Sequence, residues 1–375
     1  MTTPSRERLP VLPPLPACAE VDLGAVVANW RRLKDEAPGA ETAAVLKAGG
    51  YGLGAAPVAK ALRRAGCRTF YVARVEEGLA LRADLGPTPA ILVLEGALRG
   101  AEDMAAKDIV PVLNQPLDLE VWSALARKLG RRLPAVLHLD TGMSRLGFSA
   151  AGFARVDRDD AAAVDLRGLL SHLVAAEGDA ERSRRQRRDL MAAGALLPGV
   201  PLSLANSSGM FLGQDFHLAL CRPGIALFGG NPTPGRPNPM RPVLRLTAPV
   251  LQVRRLDGPA SVGYGATHAA PAGSLIATVG IGYADGYLRC LGGRSVARID
   301  GVEVPVVGRV SMDLITVDAT ALDAGRVRPG VRAELVWGDD GVDRLAEAAG
   351  TIAYEVLTRL GPRIERRYLE GDSRP

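Results

Sequence analysis

Lys47 closes a short β-rich run, Ala43–Lys47, and is followed at once by Ala48-Gly49-Gly50-Tyr51-Gly52-Leu53-Gly54. A lysine at a strand end can offer its amine to a carbonyl carbon and form a Schiff base, provided its surroundings keep that amine unprotonated and within reach. Most such lysines do no chemistry; they extend an alkyl stem and leave the ammonium in water. The glycines allow a different reading. Gly50-x-Gly52-x-x-Ala55 between a strand and a helix imitates a dinucleotide-binding loop, with Glu76 at about the spacing of a ribose-binding acid, and Lys47 is then incidental.

The elements that must position these residues belong to a chain of 375 residues, long for one domain. A β/α barrel alone takes up about 250. Eight β-rich runs alternate with helical patterns: Ala43–Lys47, Thr69–Ala73, Ala90–Leu94, Ile109–Leu113, Ala135–Asp140, Leu166–His172, Leu202–Asn206 and Leu218–Cys221. Amphipathic stretches such as Ala56–Ala65 and Leu117–Leu129 separate them, and Ala25–Leu33 precedes the first, with Val26, Val27, Trp30 and Leu33 at helical spacing. Eight β/α units predict an α/β fold with a closed parallel, TIM-type barrel, although periodicity alone also fits an open doubly wound sheet. After Gly230 the texture changes. Asn231–Arg241 holds four prolines, and short strands such as Val250–Val253, Leu275–Val279 and Val302–Val307 follow between glycine turns. The expected organisation is a mobile leader over residues 1–17, a barrel over 18–235 and a mainly-β domain over 236–375.

Composition narrows the function classes. Hydrophobic residues make up 47% and aromatics only 4%, so Ala, Val and Leu must fill the core. The net charge of +5 is small for this length. The arginines between Arg182 and Arg188 are interleaved with Ser183 and Gln186 and flanked by Glu181 and Asp189, which reads as a solvated helix face and not a nucleic-acid surface. Cys18, Cys67, Cys221 and Cys290 are far apart, and no long apolar span or signal-like segment is present, so a reducing cytoplasm is expected, with no membrane partner. His138, His172, His217 and His268 are equally scattered, and no metal site is expected.

An amine-bound aldehyde cofactor needs phosphate donors, a partner for its ring nitrogen and acid–base groups on both faces of the substrate's Cα. The chain supplies motifs for each. Lys47-Ala48-Gly49-Gly50-Tyr51-Gly52, Asp140-Thr141-Gly142-Met143-Ser144-Arg145-Leu146-Gly147, Ala205-Asn206-Ser207 and Arg222-Pro223-Gly224-Ile225 resemble the alanine racemases, in that family's order. Gly263-Tyr264-Gly265-Ala266-Thr267, Gly282-Tyr283-Ala284-Asp285-Gly286 and Gly308-Arg309-Val310-Ser311-Met312-Asp313 resemble its second-domain motifs. The likeness extends over residues 19 to 368.

That resemblance implies a pyridoxal 5'-phosphate enzyme that interconverts L- and D-alanine, D-alanine being a cell-wall precursor. It implies that Lys47 holds the cofactor and serves one face of the substrate while Tyr264 of a partner subunit serves the other, since one residue does not readily reach both faces. A phenol, with its usual pKa of about 10, then needs help from nearby positive charge, for which His172 and Arg222 are the candidates. By the same resemblance Arg222 faces the pyridine nitrogen. Tyr51, Ser207 and the N–H groups of Gly224 and Ile225 hold the phosphate, supported by Asn206. Arg145 touches the cofactor's phenolic oxygen and the substrate carboxylate, the Met312 N–H meets the same carboxylate, and Tyr283 and Asp313 line the entrance. The second-domain residues imply a head-to-tail homodimer with composite sites.

Taken without the resemblance, several of these residues have ordinary explanations. Asn-Ser after a strand is a helix cap, Arg-Pro-Gly a loop, His172 a core histidine and Met312 core filler. The chain also departs from the family pattern. His138 stands where many members carry a carbamylated lysine seven residues before the arginine, so no such carbamate orients Arg145. Ala-Gly-Gly-Tyr replaces the common Ala-Asn-Ala-Tyr. Pro362 falls where some members place a pocket tyrosine, after a late motif Thr351-Ile352-Ala353-Tyr354-Glu355. These departures keep a broader-specificity racemase as an alternative. A non-enzymatic cofactor carrier and a nicotinamide-dependent oxidoreductase are the competing classes.

Overall fold

A computed structural model describes residues 16–323 and 325–370. Apart from Pro16 and Ala17, the expected leader lies outside the described residues. Those two are held: the Ala17 carbonyl accepts the Glu365 N–H at 2.9 Å, and the Pro16 carbonyl accepts from Arg332 at 3.0 Å.

Glu41–Thr42 and Ala44–Val45 form one strand interrupted at Ala43, and this strand closes the barrel. It pairs in parallel with Thr69–Val72 on one side and with Leu220–Cys221 on the other. Between those neighbours, Ala90–Val93, Ile109–Leu113, Leu133–His138, Val164–Leu170 and Leu202–Ser203 follow in chain order, each parallel to the next. The expected eight-stranded barrel is therefore present. Six of the strands stop short of the expected runs, leaving Lys47, Asp140, His172 and Asn206 on backbone just beyond the strand ends. The expected helical stretches appear as Leu23–Glu36, Ala55–Arg64 and Pro116–Lys128. The first is capped by Asp22, whose Oδ1 accepts the Ala25 N–H at 2.8 Å, and it buries Val26, Trp30 and Leu33.

The second sheet has eight strands, with the long strand Leu244–Arg255 pairing three neighbours: Cys18–Asp22, Arg332–Val336 and Leu275–Val279. Two register shifts bend it so that it can serve all three. The expected strands Leu275–Val279 and Val302–Val307 are found with those bounds, and Val250–Val253 lies inside the long strand. Two helices, Gly341–Ala349 and Ala353–Arg359, complete this part. Cys18–Asp22 precedes the barrel in sequence yet belongs to this sheet, antiparallel to Leu244–Arg255 and parallel to Glu365–Leu369. A boundary drawn at residue 235 thus leaves one strand of the second sheet on the barrel side. Arg245 ties the strand in through Glu20 at 2.9 Å and Glu334 at 2.7 Å, and Arg298 also bonds Glu334.

Helix Ala180–Gly194 carries the arginine run. Arg184 and Arg188 face solvent and pair with Glu181, but Ser183, Gln186 and Leu190 are buried against the barrel. Gln186 is the surprise in a segment read as solvated. Its amide donates to the His172 carbonyl at 2.8 Å and the Thr141 hydroxyl at 3.0 Å, and its oxygen accepts the Val174 N–H at 2.9 Å.

Loops at the barrel mouth depend on a second buried polar group. Asp118, 1% exposed in the first turn of Pro116–Lys128, accepts the N–H groups of Ala97 and Asn114, each at 2.9 Å. Removing the carboxylate orphans two buried donors. Asp118→Ala is expected to destabilise the fold by about 3 kcal/mol, read from urea unfolding, with Asp118→Asn recovering part of it.

Candidate active site

The loop after Lys47 is a left-handed turn. Ala48, Gly49, Gly50, Tyr51 and Gly52 all have φ between 54° and 79°. An L-residue in this region costs about 1–2 kcal/mol, which glycine avoids. Close packing also demands it at two positions: a Cβ on Gly50 would lie 2.8 Å from the Ala55 nitrogen, and one on Gly52 2.4 Å from the Leu357 oxygen. The turn consumes its own donors, with Gly50 N–H bonding Leu46 O, Gly52 N–H bonding Ala48 O and Gly54 N–H bonding Gly49 O, each at 2.8 Å. A dinucleotide loop must present those N–H groups to a diphosphate. Here they point inward, so the dinucleotide reading of this loop fails.

The turn delivers Lys47 and Tyr51 into a cavity of about 130 Å³ at the C-terminal mouth of the barrel. Arg145, His172, Asn206, Ser207, Arg222, Gly224 and Ile225 line it as well, so every barrel residue singled out in the sequence is brought there. A larger cavity of about 390 Å³ lies at the opposite mouth, but it holds no lysine. Tyr71 lines both.

At one end of the cavity is a tight cradle. The Ser207 hydroxyl accepts the N–H groups of Gly224 at 2.9 Å and Ala226 at 3.3 Å. Tyr51 packs on Phe228 with ring centroids 4.8 Å apart, and its hydroxyl sits so close to Gly224 that a Cβ there would lie 2.0 Å from it. Ile225 opens a short 3-10 turn, whose first N–H groups have no partner within the turn. Asn206 does act as a cap, its Oδ1 accepting the Gly209 N–H at 2.9 Å.

Electrostatically the cavity is cationic. Arg222, 5% exposed, donates to the Ser203 hydroxyl and to the Ser171 carbonyl at 2.5 Å, so its bonds go to neutral oxygens and not to a carboxylate. Burial, followed by the Arg145 charge, pulls the Lys47 amine below its usual pKa, with Glu77 opposing. Loss of water, aided by Arg222, lowers His172 to about 3 and His138 to about 4, so both rings are neutral near pH 7. His138 has a fixed tautomer. Asn114 donates its amide hydrogens to Leu94 and Val112 carbonyls at 2.9 and 3.0 Å, so its oxygen faces His138 Nδ1 at 2.8 Å and that nitrogen carries the proton. Arg145 rides on a loop wound around Asp140, which accepts the N–H groups of Gly142, Met143 and Ser144 at 2.8 to 2.9 Å.

Four expected site residues are elsewhere on this chain. Tyr264, Tyr283 and Met312 are 71%, 41% and 54% exposed on the second domain, outside the cavity lining. They share a surface region: Ala284 N–H bonds the Met312 carbonyl at 2.9 Å, and Arg363 bridges Asp285 and Asp313 at 2.8 Å each. The sequence reading missed Tyr354, which lines the cavity with its ring 5.9 Å from that of Tyr51. It stood in a motif already noted. Pro362 lies outside this chain's own cavity lining, as Tyr264, Tyr283 and Met312 do. Among the described residues, no cluster of three His, Cys, Asp or Glu is arranged to hold a metal, and no helix is long and apolar enough to cross a membrane.

A half-buried amine of lowered basicity just beyond the first barrel strand, with a buried arginine and a donor-lined cradle around it, marks a β/α-barrel enzyme with its site at the C-terminal mouth. The family model for the alanine racemase N-terminal domain matches residues 21–232, and that for the alanine racemase C-terminal domain matches 243–368. The chain belongs to the alanine racemase family. It is 49% identical over 364 residues to an alanine racemase of Rhodospirillum rubrum, covering 94% of this chain and 96% of the relative. It is 46% identical to a catabolic alanine racemase of Mesorhizobium japonicum, with 95% and 94% covered. The crystal structure of alanine racemase from Bartonella henselae, with covalently bound pyridoxal phosphate, superposes with a TM-score of 0.90 at 38% identity, covering 95% of this chain and all of that one.

Two stability measurements follow from this geometry. Gly224→Ala drives a methyl into the Tyr51 hydroxyl and is expected to cost about 1–3 kcal/mol, of which Tyr51→Phe in the same background returns a large part. The second concerns acid. The unfolded chain protonates His138 and His172 below the ordinary value of 6.5, whereas the folded chain resists down to about 4 and 3. Stability is therefore fully present above that ordinary value and falls on acidification, by up to about 1.4 kcal/mol per pH unit for each ring. His138→Asn and His172→Asn should flatten that slope in urea titrations; an unchanged slope would count against the assignment.

Proposed function

We propose that the chain interconverts L- and D-alanine with pyridoxal 5'-phosphate held at Lys47, using Lys47 and Tyr264 of the partner subunit as the two proton carriers. The observation that carries this reading is a division of labour. Nine expected site residues line one barrel cavity, while Tyr264, Tyr283, Met312 and Asp313 lie exposed on the second domain. Residues held away from their own cavity and open to solvent are free to serve another copy's, which supports this reading. The reading therefore includes a head-to-tail homodimer with composite sites.

The residues present fit the cofactor. The Gly224 cradle has room for no side chain, and it offers a hydroxyl and backbone donors of the kind that hold a phosphate. Bound at the Lys47 amine, pyridoxal phosphate supplies an electron-withdrawing ring that acidifies the Cα–H of an amino acid. Everything else falls to side chains. Lys47, its basicity lowered by burial and Arg145, takes or returns a proton on one face. Tyr264 of the partner subunit delivers or removes the proton on the other. Arg222, which cannot accept a proton, would meet the ring nitrogen and leave it unprotonated, limiting electron withdrawal and disfavouring reactions other than racemisation. Arg222 provides the positive charge that a phenol needs in order to act as a base; His172, expected to share that role, is held neutral by burial and offers only a polar contact. Arg145 binds the substrate carboxylate, aided by the partner's Met312.

The substrate is small on this reading. Of the residues that pointed to a broader racemase, Gly49 and Gly50 do not line the cavity, whereas His138 does. A panel of larger amino acids should be turned over poorly beside alanine. The four cysteines are all free thiols, in keeping with a cytoplasmic enzyme.

Subunit mixing tests the proposal. Lys47→Ala should abolish racemisation, and Tyr264→Phe should lower kcat by about 10²–10⁴. Each variant homodimer is then nearly inactive, but a mixed dimer contains one site with both residues intact. Recovery of activity on mixing is the expected result. If mixing restores nothing while mixed dimers form, the composite site is wrong.

A further inference from the structure

One carboxylate outside the cavity reaches the lysine turn. Glu77 stands in the first turn of helix Val75–Leu85, on the next β/α unit. Its Oε2 accepts the N–H groups of Ala73 at 2.9 Å and Arg74 at 3.1 Å, and its Oε1 accepts the Gly49 N–H at 3.2 Å. A single side chain thus spans from the end of strand Thr69–Val72 to the left-handed turn that carries Lys47. The turn needs such an anchor. Gly49 has no side chain to hold it, and a Cβ there would touch nothing within 4 Å.

The charge matters as well as the span. Arg145 and Arg222 are the cations sharing the cavity with the Lys47 amine, and His138 and His172 beside them are neutral. Tyr51, Tyr71 and Tyr354 are phenols that burial keeps protonated. Glu77 is the one acid, among the described residues, that acts on the amine.

We infer that Glu77 is a positioning residue for Lys47, fixing the turn that carries the amine to the neighbouring strand end and setting a carboxylate beside it. The inference rests on Lys47 being the amine that bears the cofactor. It gives the two-glycine loop a physical requirement: backbone freedom gained at Gly49 is removed from outside by a side chain of the adjoining unit.

The test compares wild type, E77Q, E77D and E77A as cofactor-loaded enzymes. Borohydride reduction with peptide mass spectrometry locates the trapped cofactor. A pH titration of its absorbance reads the charge at the lysine nitrogen, and racemisation gives kcat and KM. Glu77→Gln removes the charge, so the spectral midpoint should move to lower pH by about 0.5 unit or more. Glu77→Asp keeps the charge but is too short to bridge both sides. Its midpoint should stay near wild type while kcat falls by about tenfold with KM little changed, as expected for a misplaced reacting group. Glu77→Ala should show both effects, and if it does not fold, the other two variants carry the test. Wild-type midpoint and kcat in both E77Q and E77D overturn the inference. Failure to trap cofactor on Lys47 in the wild type overturns the proposed function instead, so the two failures are distinguishable.

Discussion

The barrel closes through the hydrogen bonds of one interrupted strand, and those bonds also assemble the site. Val45 donates to the Pro223 carbonyl at 2.9 Å, joining the first barrel strand to the segment after the last. Lys47 lies two residues beyond one partner, and Arg222 and Gly224 flank the other. Lysine, arginine and cradle, about 175 residues apart in the chain, therefore meet through the same ladder that shuts the sheet. A barrel that failed to close would have no cavity to disturb.

Closure also explains the charge inside. Two arginines and the Lys47 amine converge on one small mouth, no carboxylate lines it, and both histidines are held neutral. Such a site is stabilised by anions arriving from outside, and a phosphate and a substrate carboxylate are two. The protein answers the remaining imbalance from behind the wall. Glu77 acts through the lysine turn, Asn114 fixes the His138 ring, and Gln186 holds the backbone of His172 and the hydroxyl of Thr141. These polar groups lie outside the reacting centre and convert a flexible rim into a defined one.

The sequence disclosed the barrel because its strands read as short apolar runs at regular spacing, and it disclosed the cavity residues through motifs at the ends of those runs that resemble the alanine racemases. It was poorer at polar residues whose partners are remote. Gln186 was hidden in an arginine run whose exposed members dominate its character. Glu77 was passed over for Glu76, because a glycine-rich turn looks alike whether glycine serves phosphate approach or left-handed geometry. Cys18–Asp22 looked like an approach to the barrel, since nothing local announces that its partners are Leu244–Arg255 and Glu365–Leu369. The second-domain tyrosines were visible only as motifs, because their place is decided between molecules.

That first strand has a bearing on how the molecule is made. The barrel's strands pair in chain order, so the barrel can be completed while synthesis continues. Cys18–Asp22 emerges before any of it and must wait for Leu244–Arg255, and then for Glu365–Leu369, to cover its two edges. The nascent chain thus carries an uncovered strand through most of its own translation, at the risk of pairing wrongly with another polypeptide. Once the last strand docks, the first and last strands of the described fold lie side by side in the second sheet, so unravelling from either end begins there.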